Sequence, residues 1–200
     1  EEEGDLLSVT ADIFDASGAK IGHMTRTYDL ETKSVYHSVF VINEGKAQGT
    51  GLGAAWEAAA EAAYMNMGFK SIKLEASNTA GGYVWARMGF DFDENAAGNW
   101  GKNGKAVQVY QKLNDLYTAR YGDPPEDIKL VARPWEIAAF TGPDGYKIGK
   151  EALLGSTWSG VKLLDEKDKG YKAGQSYFAA VGATKAVQPP APEPPVTAVI

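Results

Sequence analysis

The run Gln48-Gly49-Thr50-Gly51-Leu52-Gly53 stands between an apolar stretch, Val39-Phe40-Val41-Ile42, and an Ala-rich stretch that follows it. β-branched and aromatic residues favour a strand before the run, and alanines favour a helix after it. The glycines let the backbone turn sharply and let a neighbour approach with no Cβ in the way. A helix that opens at such a turn directs unpaired N–H groups and the positive end of its dipole at one spot. An anion is the expected guest there.

The remaining pattern sets this junction in an α/β frame. Asp5 to Asp15 alternates apolar and polar residues, Ser17-Gly18 marks a turn, and Lys20 to Tyr28 resumes an extended pattern, which predicts a hairpin. A third strand is expected over Ser34 to Ile42. From Gly51 to Met67, Leu52, Trp56, Ala59, Ala63 and Met67 recur at helical spacing, with Gly68 as the stop. Ser71 to Ala76 reads as a strand, Thr79 to Met88 as a short helix and Gly89 to Asp93 as another strand, giving the order βββ-α-β-α-β. Glu94 to Gly104 reads as a loop, and Lys105 to Tyr121 carries a helical period that Gly122-Asp123-Pro124-Pro125 ends.

A small second unit is expected from Glu126 to Val187, with Pro134 opening a helix over Trp135 to Phe140 and helical stretches around Ala152-Leu153-Leu154 and Val161-Lys162-Leu163-Leu164. Gln188 to Ile200 holds five of the nine prolines and reads as a tail or linker. The division is therefore residues 1–104, a mainly helical extension over 105–187, and the tail 188–200.

Composition narrows the classes. A net charge of −6 without a dense Lys/Arg cluster gives no footprint for nucleic acid. The chain has no Cys and only His23 and His37, so a metal cluster is not expected. No stretch reaches the ~20 apolar residues of a membrane span, and Glu1-Glu2-Glu3 is the opposite of a signal peptide. These features suit a soluble protein. The chain opens without Met, as a processed product or a piece of something longer would.

Two ligand readings compete with a purely packing role for the glycines. Gly49-Thr50-Gly51-Leu52-Gly53-Ala54 formally fits the dinucleotide fingerprint G-x-G-x-x-A, with Glu75 at the end of the next strand. Against it, the six residues Asn43 to Gln48 separate strand from glycines, and βαβ alternation does not continue. The other reading includes Asn78-Thr79-Ala80-Gly81-Gly82-Tyr83-Val84-Trp85-Ala86-Arg87-Met88-Gly89-Phe90, one strand later. Gln48, Gly51 and Gly53 match a Gln/Arg-x-x-Gly-x-Gly/Ala loop. Asn78, Gly89 and Phe90 match an Asn-x-x-Ala-x-x-x-Tyr-x-x-x-Gly-Phe segment. In both motifs the chain resembles the GNAT (GCN5-related N-acetyltransferase) family over roughly Asp5 to Asp93.

That resemblance implies a mixed, mostly antiparallel sheet with flanking helices, and binding of acetyl-CoA or another acyl-CoA. The pyrophosphate would rest on Gln48, Gly49, Thr50, Gly51, Leu52 and Gly53, the pantetheine arm along the strand at Val41, and Asn78 nearby. The acyl group would pass to an amine where Val39 to Ile42 parts from Lys73-Leu74-Glu75. Two departures weaken transfer. Gly81 replaces the Ala, and Trp85 stands where many members carry the Tyr that protonates coenzyme A; an indole N–H is a donor but no acid. Tyr83 lies two positions earlier, on another helix face. The candidate bases are Glu75, His37 and Glu44.

In the second half, Thr157-Trp158-Ser159-Gly160 fails the G-x-S-x-G elbow, because Thr157 occupies the first glycine position. Trp85 to Phe92 together with Leu153 to Lys162 loosely resembles GNAT-type domains of bacteriophage head proteins. The alternative is thus a non-catalytic virion module with a vestigial groove and protein partners, found within a phage particle rather than the cytoplasm.

Overall fold

The computed structural model describes residues 5–15, 17–43, 49–124 and 133–183. Its strands are β1 (Leu6–Phe14), β2 (Lys20–Asp29), β3 (Ser34–Ile42), β4 (Ser71–Ala76), β5 (Asp91–Phe92) and β6 (Trp158–Leu163). The helices are α1 (Leu52–Asn66), α2 (Asn78–Arg87), α3 (Lys105–Tyr121), α4 (Pro134–Ala139), α5 (Ile148–Leu153) and α6 (Lys169–Ala180). The strands form one sheet in the order β1-β2-β3-β4-β6-β5. Every neighbouring pair is antiparallel except β3 and β4. The fold is mixed α/β, as the sequence predicts, and strands β1 to β4 fall within one residue of the expected segments.

One expectation is overturned. Val161-Lys162-Leu163-Leu164 is not helical; Val161 to Leu163 belong to β6, which lies between β4 and β5. Trp158, Gly160 and Lys162 are buried while Ser159 and Val161 are half-buried and Leu163 is exposed, so the period is two. An inward lysine hides that alternation in the sequence. The region after residue 104 is mainly helical and also supplies this strand, while α6, which follows it, falls in the expected helical extension without a segment of its own named there.

Lys162 is tolerated inside because its charge is paired and its amine is hydrogen-bonded. Its Nζ donates to Glu61 of α1 and to the Met88 carbonyl at 2.7 Å, and lies over the Phe90, Tyr171 and Phe178 rings. Gln175 of α6 donates to the other Glu61 oxygen at 3.1 Å. This buried pair ties α1, β6 and α6 together, and losing one partner of such a pair costs several kcal/mol.

The stretch expected as a loop, Glu94 to Gly104, holds a short 3₁₀ turn at Ala97–Asn99. The buried Asn99 amide donates to the Asp93 and Ser159 carbonyls at 3.0 and 2.7 Å and accepts from Ser159 N at 2.9 Å. It satisfies the edge of β6 where the two-residue β5 ends. Pro134 opens α4 as expected, with the Glu136 carboxylate accepting from Arg133 N at 3.1 Å. Gln188 to Ile200 and Glu1 to Glu3 lie outside the described residues.

Gly89 ends the α2 turn at φ +88°, and a Cβ there would stand 2.0 Å from the Gly170 carbonyl oxygen. Both the conformation and the close passage of α6 require glycine. Gly89→Ala is expected to lower stability by more than about 2 kcal/mol in urea titrations. Gly98→Ala, where nothing lies within 4 Å of a built Cβ, is expected to stay within about 0.5 kcal/mol of the parent.

Candidate functional site

The site begins with a bulge. Arg26 stands opposite His37 but Thr25 stands opposite Val39, so Ser38 is an extra residue on β3. A bulge bends its strand and ends regular pairing. The parallel β3–β4 pairing runs only from Ser34–Ser71 to His37–Leu74, although β3 continues to Ile42 and β4 to Ala76. The two strands part at His37 and Leu74 and form a fork. Asn43 N donates to the Ile21 carbonyl at 2.8 Å, which fixes the alternation along the distal half of β3. The Phe40 main-chain groups therefore point away from β2, toward the fork.

Arg26 holds the bulge. Wholly buried, it donates from Nη1 to the Thr25 and Val39 carbonyls at 3.0 and 2.6 Å, and its guanidinium lies 5.5 Å from the Phe40 ring centre. The rings of His37, Phe40, Trp56, Trp85 and Phe90 form the aromatic floor beneath. Trp85 is 6.1 Å from His37, 6.4 Å from Phe40 and 5.3 Å from Phe90, all edge-on.

The glycine loop meets this floor. Gly49 and Gly51 have φ of +75° and +85°, and Gly51 is the cap of α1, its carbonyl accepting from Ala55 N at 3.0 Å. The cap gives no side-chain hydrogen bond, and the first turn of α1, which begins at Leu52, carries no acid. A Cβ at Gly49 would meet nothing within 4 Å, and one at Gly53 would touch Phe40 Cε1 at 3.5 Å. The helix start therefore offers backbone amides beside the forked strand, with no side-chain cap from Gly51 itself, and these features fit a pyrophosphate. Gln48 and Glu44 lie outside the described residues.

The other expected residues fall in various places. Val41 is 39% exposed on the distal half of β3, and Asn78 is the first residue of α2. Glu75 lies on the end of β4 that β3 leaves but β6 still pairs, and its carboxylate already accepts from Lys105 Nζ and from Ser159 Oγ at 2.7 Å. The Tyr83 hydroxyl accepts from Arg87 at 3.1 Å, with Lys150 over its ring. Among the described residues no three side chains are placed to hold a metal, and no helix is long and apolar enough to cross a membrane. A separate cavity of about 670 Å³, lined by Asp91, Trp100, Tyr110 and Arg133 among others, lies by β5 and β6, away from the glycine loop.

Sequence reasoning missed the titratable groups under the fork. Glu57 and Glu61 share a face of α1 with Ala54 and Ala58, and all four are buried. Carboxylates at that spacing on an apolar helix face were the available signal. Glu57 Oε2 lies 3.5 Å from His37 Nδ1, and both side chains are almost fully enclosed. Burial, with Glu61 nearby, pushes the Glu57 carboxyl up to about 8. Burial and the Arg26 charge hold the His37 imidazole well below its ordinary 6.5. At neutral pH the pair is a neutral acid beside a neutral imidazole.

No protein-family model matches the chain, and no curated protein matches it in sequence. Solved structures with a similar arrangement include an acetyltransferase from Bacillus cereus, 14% identical with a TM-score of 0.39 over 44% of this chain and 62% of that one. A nourseothricin acetyltransferase is 20% identical with a TM-score of 0.38, over 48% of this chain and 59% of that one. The chain thus spans about three fifths of these proteins. The bacteriophage reading finds no support among the comparisons.

The buried pair gives stability a pH dependence. The folded state keeps the Glu57 proton to about pH 8 while the unfolded chain loses it near 4.5, so the contribution present at low pH is lost as pH rises through 8. His37 acts oppositely, but only below its ordinary 6.5. Between those limits, unfolding free energy is expected to fall with pH, by up to about 1.4 kcal/mol per unit from Glu57. Glu57→Gln is expected to flatten that fall in urea titrations at pH 6.5 and 8.

Proposed function

We propose that this chain is a GNAT-like domain that binds an acyl-coenzyme A, with the pyrophosphate on the amides of Gly49 to Gly53 and the pantetheine arm along the distal half of β3. The observation that carries the reading is the β3–β4 fork beside a glycine-capped α1 start. Strand pairing that stops at His37 and Leu74, while both strands continue, leaves main-chain groups of Phe40 for an extended amide-bearing arm. A bound acyl-CoA would supply a thioester open to attack by a neutral amine.

For such a transfer the chain offers partial equipment. Backbone N–H groups at the fork support an oxyanion. The Glu57–His37 pair lies enclosed beneath the fork, and Glu75 stands at the fork with its oxygens engaged. Trp85 provides no acid for the leaving thiolate, and an acid–base group is worth about a hundred- to ten-thousand-fold in rate. The reading is therefore binding first, with slow N-acyl transfer to an amine.

Gly53→Glu separates ligand binding from folding. Its Cβ finds ordinary contact space, and a side chain within the helix gains roughly 0.5 to 1 kcal/mol over glycine. An acid in the first turn adds a few tenths more. The same charge repels a pyrophosphate. Calorimetry is expected to show acetyl-CoA binding near −8 kcal/mol, the value for a micromolar Kd. In Gly53→Glu that binding should vanish while the melting temperature rises. Absence of heat in the parent, or equal binding by both, would overturn the reading.

A further inference from the structure

Strand β1 is the sheet edge, and among the described residues no strand pairs with its outer side. It runs for nine residues, Leu-Leu-Ser-Val-Thr-Ala-Asp-Ile-Phe, without Lys or Pro, and its one register shift falls at the far end, between Ile13 and Phe14. Natural edges are ordinarily blunted by Lys, Pro, bulges or brevity. This edge carries apolar side chains in the open instead: Leu6 is 63% exposed, Leu7 55%, Val9 37% and Phe14 57%.

The main-chain directions are fixed by the strand's two ends. Leu30 N donates to the Asp5 carbonyl at 3.1 Å, and Asp15 N donates to the Ala19 carbonyl at 2.9 Å. Odd-numbered residues of β1 therefore bond inward to β2, and the N–H and C=O groups of Leu6, Ser8, Thr10, Asp12 and Phe14 point outward. An antiparallel partner must place its own outward groups opposite these.

The side chains select that partner. Folded back on itself about Thr10, the strand sets Leu6 opposite Phe14, Leu7 opposite Ile13, Ser8 opposite Asp12, and Val9 opposite Ala11. Each apolar residue meets an apolar residue, the single acid meets a serine, and every outward group meets an outward group. Moving the centre to Val9 would set Leu6 against Asp12. The Asp5 and Asp15 carboxyls lie beyond the nine-residue ladder, and that of Asp15 is turned into its own turn by Ser17 and Ala19.

We propose that β1 pairs antiparallel with β1 of a second copy of this chain, about a two-fold axis at Thr10, to form a continuous sheet of two times six strands. A two-fold contact needs a self-complementary patch, and this strand is one. The inference is independent of the proposed ligand.

Because the chain lacks cysteine, introduced thiols report the contact and its register directly. Thr10 and its symmetry mate form a hydrogen-bonded pair with Cα atoms about 5.5 Å apart, within disulfide reach. Two copies of Ser8 are roughly 14 Å apart at about 3.4 Å per residue, beyond it. Thr10→Cys is expected to oxidise to a covalent dimer, while Ser8→Cys and Asp12→Cys do so only when mixed. Light scattering of the parent should give twice the single-chain mass of 21.4 kDa. Thr10→Pro, which removes an outward N–H and leaves the β2 ladder its donors, should return the mass to one chain. Single-chain mass at every concentration, a persisting dimer in Thr10→Pro, or cross-linking of Ser8→Cys alone as fast as Thr10→Cys would overturn the proposal.

Discussion

The hydrogen bonds from buried Arg26 to the Thr25 and Val39 carbonyls secure the bulge from which the rest of the site follows. Arg26 Nη1 donates to one carbonyl on each strand where the bulge shifts the register, and its charge lies against the Phe40 ring. With the bulge fixed, pairing to β4 stops at Leu74, the strand turns aside, and Phe40 reaches the start of α1 beside Gly53. A buried guanidinium also sets the surrounding electrostatics: its charge helps keep His37 neutral and partly offsets the burial that keeps Glu57 protonated.

The second half of the chain braces this arrangement. β6 fills the place beside β4, and Lys162 on that strand joins Glu61 of α1, with Gln175 of α6 on the same carboxylate. The end of α6 comes close to the glycine loop, the Val181 carbonyl standing 3.9 Å from a Cβ built at Gly51. The fork and the loop thus rest on contacts from residues more than a hundred positions apart. The buried Lys–Glu pair joins α1 to β6, and removing either partner would leave the other charge buried and alone.

Much of the frame was legible in the sequence, for definite reasons. β1 to β4 alternate or carry β-branched runs, α1 and α3 hold a helical period between glycines, and Pro134 marks a helix start. The glycine loop and the later Asn78 to Phe90 segment were legible as a pair because both carry position-specific residues. β6 was not, since Lys162 points inward and interrupts the apolar alternation. Nor was Arg26, which in the sequence is one more basic residue in a strand; its burial depends on register with Val39, and register is a tertiary property. Glu57 and Glu61 were hidden by the alanines around them, and the engagement of Glu75 by Lys105 and Ser159 joins residues 30 and 84 positions away.

Amide hydrogen exchange along β3 tests the central claim most directly, because the fork makes neighbouring amides behave differently. Val35 lies in the paired half and Phe40 in the half that faces the fork. The account predicts slow exchange at Val35, faster exchange at Phe40, and slowing at Phe40 when acetyl-CoA is added. Equal protection of the two amides in the free protein, or a Phe40 amide indifferent to saturating acetyl-CoA, would contradict it.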